Sequence, residues 1–177
     1  MKRQKIQMLI LCGLLLVLVA AFFAIRNYNN HQAEENTEEA AYTVLALTEA
    51  DVKEFSFTGG SETISLIKSD SGWSAVADET TQLDQDTVSS LLSNVLNIQA
   101  EIQIEDVTDF SQYGFDDPLA TVTLKLQDDT VYEIIFGHYN EVTAQYYLRL
   151  DGSNTVYVLS TNLGYHFQIS LDGFKKG

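Results

Sequence analysis

One cysteine, one proline, three histidines and ten basic residues are all that 177 residues contain of those types. Each scarcity closes off a kind of chemistry. A lone Cys12 cannot form an intrachain disulfide. Because it lies inside an apolar run, everything beyond residue 26 is left without a thiolate nucleophile or a disulfide framework. His31, His138 and His166 are isolated from one another and from Cys12, so no Cys/His set stands at metal-ligand spacing, and His138, following Gly137 at a strand end, reads as a loop residue. HExxH, a glycine-rich phosphate loop, GxSxG and an EF-hand series are all missing. No residue is singled out as catalytic, cofactor-binding or metal-ligating, and the expectation is a protein that is not an enzyme and carries no cofactor.

Positive charge is scarce in the same way. Beyond residue 26 the bases are Lys53, Lys68, Lys125, Arg149, Lys175 and Lys176, set against all 25 acids, a net charge of −19. Such a surface repels phosphate backbones and lacks the cationic groove that nucleic acids need, which excludes them as partners. Solubility through self-repulsion is the simple reading of that charge. The sharper one is a cation- or saccharide-binding or sensing domain, attracting cations or amino sugars within a Debye length of about 8 Å and using exposed aromatics such as Tyr139 or Tyr147.

What the chain does have is a long apolar run. From Ile6 to Ile25 the only polar side chain is Gln7, and a helix rising about 1.5 Å per residue over that length spans roughly 30 Å, the thickness of a bilayer core. Lys2, Arg3 and Lys5 precede it and only Arg26 follows, so the positive-inside bias places the N-terminus in the cytoplasm. A cleaved signal is the alternative, with Val19 and Ala21 at its small-residue positions, although the apolar run continues through Phe22, Phe23 and Ile25. A lipoprotein signal ending at Cys12 fits less well, since Leu11 stands where a small residue is wanted.

Residues 26–41, with Glu34, Glu35, Glu38 and Glu39 and no branched aliphatics after Arg26, read as an acidic flexible linker that buries too little to offset its ordering entropy. The expected organisation is a cytoplasmic tail over 1–5, a transmembrane helix over 6–25, that linker, and an extracytoplasmic α+β domain over 42–177.

Within that domain, Val52–Phe57, Glu62–Lys68 and Trp73–Val76 alternate between turn signals at Gly59-Gly60 and Asp70-Ser71-Gly72, predicting a three-stranded meander with Trp73 as a core plug. Asp84 is placed to cap a helix, and Val88, Leu91, Leu92, Val95 and Leu96 form one apolar stripe along it, opposite a Ser/Asn face. Ala100, Ile102 and Ile104 alternate as one half-buried strand. Ala120–Leu126, Tyr132–Phe136, Tyr146–Leu150 and Val156–Leu159 make a second meander, which a helical turn near Asn162–Phe167 closes. The fold class is therefore α+β: two antiparallel meanders with a helix on the sheet. Two related β-β-β-α halves are an option that no residue-level repeat marks.

Between the meanders stands "DFSQYGFDDPLATVTL", Asp109 to Leu124. Pro118 fixes its own backbone, Gly114 permits a positive φ, and Phe110, Tyr113 and Phe115 can pack beneath the loop. Asp116 and Asp117 are adjacent on extended chain and point apart, with no His, Lys or Arg nearby in sequence, so a structural corner over Tyr113, Gly114, Phe115, Asp116 and Pro118 explains them better than an acid–base pair. A carboxylate-only calcium site from Asp128, Asp129 and Asp151 stays open, since hard cations need only oxygens.

This corner, the Thr-Val-Thr-Leu strand after it, "YEIIFGHY" with its Gly, "QYYLRL", "TVYVLS" and the earlier "SGWSAV" together resemble the bacterial family called domain of unknown function 4340, from roughly Val44 to Leu171. Phe115 departs from the usual Leu, and the Pro that often follows the Trp strand is absent. The resemblance implies a membrane-anchored envelope protein with an unidentified envelope protein partner, in some members accessory to transporter-like complexes, and it carries no catalytic residue.

Overall fold

The computed structural model describes residues 42–59, 62–78 and 80–176. The expected tail, membrane helix and linker lie outside the described residues, as does Gly60 of the first turn. Among the described residues no helix is long and apolar enough to cross a membrane.

Among the described residues, ten strands and one α-helix make up the domain. They are β1 (Tyr42–Ala46), β2 (Val52–Gly59), β3 (Glu62–Ser69), β4 (Gly72–Ala75), α1 (Gln85–Leu96), β5 (Asn97–Ala100), β6 (Ile102–Ile104), β7 (Ala120–Leu126), β8 (Val131–Asn140), β9 (Gln145–Leu150) and β10 (Val156–Leu159). Eight of them form one antiparallel sheet in the order β4-β3-β2-β7-β8-β9-β10-β6. The two meanders are thus fused through the pairing of β2 with β7, in which Phe55 stands opposite Leu124 and Phe57 opposite Val122. Strands β2-β3-β4 and β7-β8-β9 run outward from that central pair in matching order. The two triplets continue differently, because α1 comes after β4 whereas β10 comes after β9. Past β10 the described chain has 3-10 turns at Gly164–Phe167 and Leu171–Phe174 in place of a second α-helix.

One face of the sheet, here called inner, holds the core. Alternation puts Phe55, Phe57, Ile64, Leu66, Val122, Leu124, Ile134, Phe136 and Leu148 on that face, buried against α1 and the C-terminal turns. The α1 stripe of Val88, Leu91, Leu92, Val95 and Leu96 is buried throughout, and at roughly 1.5–3 kcal/mol per apolar side chain it contributes on the order of 10 kcal/mol before entropy is counted. Asp84 caps the helix by accepting from the Thr87 amide at 3.0 Å. Phe167 in the first C-terminal turn packs on Phe55, Phe57 and Phe136 with centroids 5.5–6.3 Å apart, which locks the chain end onto the sheet.

Trp73 is a core residue with a polar anchor. Its indole donates to Glu49 Oε1 at 3.1 Å, where Lys68 Nζ also donates at 2.9 Å. The Lys68 bond chiefly, and the indole bond after it, hold the Glu49 carboxyl below its ordinary range against the opposing effect of burial. At the sheet edge the Gln85 carboxamide accepts from the Trp73 amide at 2.7 Å and donates to its carbonyl at 3.0 Å. A side chain thereby pairs with β4 as another strand would, blunting an edge open to foreign strands.

Three expectations are corrected. Ala100, Ile102 and Ile104 do not share one strand: the chain breaks at Glu101, β5 pairs with β1 in a separate two-stranded sheet, and β6 joins the edge of the main sheet beside β10. The break turns Ile102 outward to 44% exposure while Ala100 stays buried. Gly137 does not end its strand, since β8 runs on to Asn140 through a register shift between Phe136 and Tyr139. His138, expected in a loop, lies in that strand.

Candidate functional site

The fully buried side chains among the described residues are all apolar, and the polar groups lie at the surface or partly buried beneath it. The sheet face opposite the core, here called outer, is where the chain has placed its unusual residues. Its two ends are built differently.

Over β8, β9 and β10 the outer face is roofed by the corner. Val107, Phe115, Ile135 and Val156 form a second, small core, with Phe110, Tyr113 and Tyr147 packed against it. Asp109 accepts from the Ser111 amide at 3.0 Å and from its hydroxyl at 2.7 Å, and these bonds, the hydroxyl's first, hold the carboxyl below its ordinary range. A short 3-10 turn, Ser111–Tyr113, then ends at Gly114 with φ 76°. A Cβ on Gly137 would lie 2.1 Å from the Tyr113 carbonyl oxygen, so only glycine there lets the corner sit down on β8. The Leu119 amide donates to the Phe136 carbonyl at 2.9 Å and returns the chain to the sheet. Arg149 lies beneath, its guanidinium 4.9 Å from the Phe110 ring centre and 5.6 Å from that of Phe115.

Of the five corner residues, Phe115 is buried, Tyr113 and Gly114 are half-buried, and Asp116 and Pro118 are exposed. Asp117 is exposed as well. The other candidates are dispersed. Asp128 is held below its ordinary range by the Thr130 amide, and Asp129 by its ion pair with Lys53, both at the β7–β8 turn. Asp151 sits at the β9–β10 turn, 3.8 Å from Arg149. Among the described residues no three His, Cys, Asp or Glu side chains are placed to hold one metal ion, so the calcium option is not assembled. His138 and His166 are exposed on different elements. Tyr139 pairs with Tyr146 across the β8–β9 hairpin at 4.8 Å, while Tyr147 faces Tyr113 at 5.0 Å and accepts from Asn140 at 2.9 Å. Tyr139 is 46% exposed.

At the other end, over β3, β2 and β7, no described residue roofs the outer face. The registers align its outward residues in rows: Ile67, Glu54, Lys125 and Val131; then Val76, Ser65, Ser56, Thr123 and Glu133; then Thr63, Thr58 and Thr121. Lys125 donates to Glu54 at 2.9 Å, and that bond raises the Lys125 pKa above its ordinary value. Around this pair stand Ile67, Val76 and Val131, exposed by 41, 57 and 56%. With Ser56, Ser65 and Thr123, the pair, Val76 and Val131 line an open depression of about 130 Å³. Its floor is small hydroxyls, its rim is aliphatic, and one neutralised ion pair lies across it. The patch can bind, through apolar contact and hydroxyl hydrogen bonding, a surface as flat as itself.

Reading for the core misses this patch, because alternation marks its residues only as the outward set. The available signal was Ile67 and Val131 standing at positions where a solvated strand face is polar.

Comparison with known proteins bears on the fold more than on the patch. The model of the family described as Domain of unknown function (DUF4340) matches residues 73–176, more than half of the 177, and the chain belongs to that family. The match begins at Trp73, later than Val44, and leaves β1, β2 and β3 outside it. That description assigns no activity. No curated protein and no solved structure matches the chain.

Proposed function

We propose that this member of the family is a membrane-anchored, extracytoplasmic, non-catalytic interaction and assembly module of the bacterial cell envelope, possessing one working surface, the unroofed outer face. The observation that carries the reading is the clustering of Ile67, Val76 and Val131 around the neutralised Glu54–Lys125 pair. On so acidic a domain a solvated face would be expected to be charged. Three exposed β-branched aliphatics on one flat area are instead the composition of a contact surface. The anchor is supported by the apolar run over residues 6–25 and its flanking charges. A place beside a transporter-like envelope complex follows from the family resemblance.

The test is photo-cross-linking in native membranes, using the full chain with a photoreactive residue in turn at Ile67, Val76, Val131 and, as a control, at Tyr165, which is exposed elsewhere. The same envelope-protein adduct, a second copy of this chain included, is expected from the three patch positions and not from Tyr165. Failure to obtain a common adduct from the three, or finding a C-terminal reporter on the cytosolic side, overturns the reading.

A further inference from the structure

We infer that the unroofed outer face pairs with the same face of a second copy of this chain, an inference that rests on the patch being the working surface. Two copies repel each other almost everywhere, because 21 acids and only six bases lie between residues 42 and 177. The patch is the exception. Its central charges are one anion and one cation side by side, Glu54 and Lys125, 2.9 Å apart, and Glu133 is the one further charge in the rows, at the β8 margin. A two-fold axis through the depression carries each Lys125 toward the other copy's Glu54 and each Glu54 toward the other's Lys125, so the arrangement is complementary to itself. A strongly cationic partner would be better served by the acidic turns than by this area with its anion already paired.

Shape agrees with charge. The floor of Ser56, Ser65, Thr58, Thr63, Thr121 and Thr123 carries short side chains, allowing two sheets to approach to about 10 Å. The β-branched rim then closes around the ion pairs.

Size predicts strength. Four strands about 4.8 Å apart and three outward rows about 7 Å apart give roughly 400 Å² in projection for each copy. That lies below the range of interfaces that hold in dilute solution. Pairing is therefore weak between free copies and becomes effective when anchors confine both to one membrane, where tethering raises the effective concentration.

The test uses charge reversal and mixing. In a homodimer of E54K all four central charges are positive, and in one of K125E all four are negative, so neither variant pairs with itself. Mixed one to one, each interface again joins opposite charges. The lysine introduced in the E54K chain meets the glutamate introduced in the K125E chain, and the unchanged Lys125 of the first meets the unchanged Glu54 of the second. Loss of the pair within each chain is not repaired by mixing, so recovery reports contact between chains alone.

The readout is energy transfer between full-length chains carrying C-terminal donor and acceptor fluorescent proteins, in phosphatidylcholine vesicles at high lipid excess. Transfer above the random-encounter baseline is expected for the native sequence. It should fall to baseline for either variant alone and return to at least half the native value in the mixture. Native-level transfer in either variant alone, or baseline transfer in the mixture, overturns the inference. Should a charge variant fail to fold, V131E replaces it, with baseline transfer supporting the pairing and retained transfer refuting it. Baseline transfer in the mixture together with a common photo-adduct to a different envelope protein removes the second copy as occupant and leaves the interaction-module reading standing.

Discussion

Gly114 is where the corner is most exposed to test. Its φ of 76° lies in the left-handed region, which costs an L-residue roughly 1–2 kcal/mol. A Cβ there would also stand 2.6 Å from His138 Cγ and 2.7 Å from both the Cβ and the backbone nitrogen of His138. Because backbone is among the atoms struck, a rotamer change of His138 cannot relieve the overlap, and overpacking of that kind adds roughly 1–3 kcal/mol. G114A should therefore destabilise the domain by about 2–5 kcal/mol in all, a fall in Tm of roughly 10–20 °C for a domain of this size. The chain's single Trp, buried at position 73, gives the readout through its fluorescence. G114N separates the two causes, because Asn tolerates the left-handed conformation but still carries the Cβ. If strain alone matters, G114N unfolds near the native temperature; if the close approach matters, it falls most of the way with G114A. A G114A protein within about 0.5 kcal/mol of native, a difference typical of an uninvolved surface site, would refute the account of the corner as a packed roof.

Ala144 has φ 56° in the β8–β9 turn without being glycine. A144G removes roughly 1–2 kcal/mol of strain and adds roughly 0.5–1 kcal/mol of unfolded-state entropy, so a Tm gain equivalent to about 0.5–1 kcal/mol is expected and a loss would contradict it. Asp84→Ala deletes the α1 cap and should lower stability by about 1 kcal/mol in denaturant titration, with Asp84→Asn close to native. Asp78 is held at about 2 by the Thr80 hydroxyl first, then by the Thr81 hydroxyl and the Thr80 amide. A depressed folded pKa means that its contribution is fully present above the ordinary value of 3.8 and is lost as pH falls through about 2. Carboxyl NMR titration should show its inflection near the lower figure, and one near 3.8 would remove the contribution.

Much of the fold was legible because burial imposes a period. The α1 stripe from Val88 to Leu96 and the alternation in β2, β3 and β7 each record one buried face, and such a record survives without knowledge of the partner. What was not legible is pairing between distant segments. β1 is five residues long and is recognisable only by its register with β5, Tyr42 against Ala100. The break at Glu101 splits an alternation that local pattern reads as continuous, because two different sheets claim its halves. Gly137 reads as a strand end, yet it is a strand residue whose missing side chain makes room for a carbonyl 24 positions earlier. The patch was illegible for a related reason: an outward residue becomes a binding surface only if no other part of the chain comes to rest on it.

That last condition depends on chain length between strands. The triplets β2-β3-β4 and β7-β8-β9 are arranged alike about their central pair, so equal treatment would leave both outer faces open or both covered. Fifteen residues connect β6 to β7, enough to double back across β8 and β9 and to bury Phe115 and Val107 there, whereas two residues connect β3 to β4. A two-residue link is too short to roof the first triplet, whose outward positions retain Ile67 and, beside the β4 end, Val76. With no described residue over it, the apolar rim is the surface that the proposed second copy would cover, and the ion pair at its centre would there meet the same charges in reverse order.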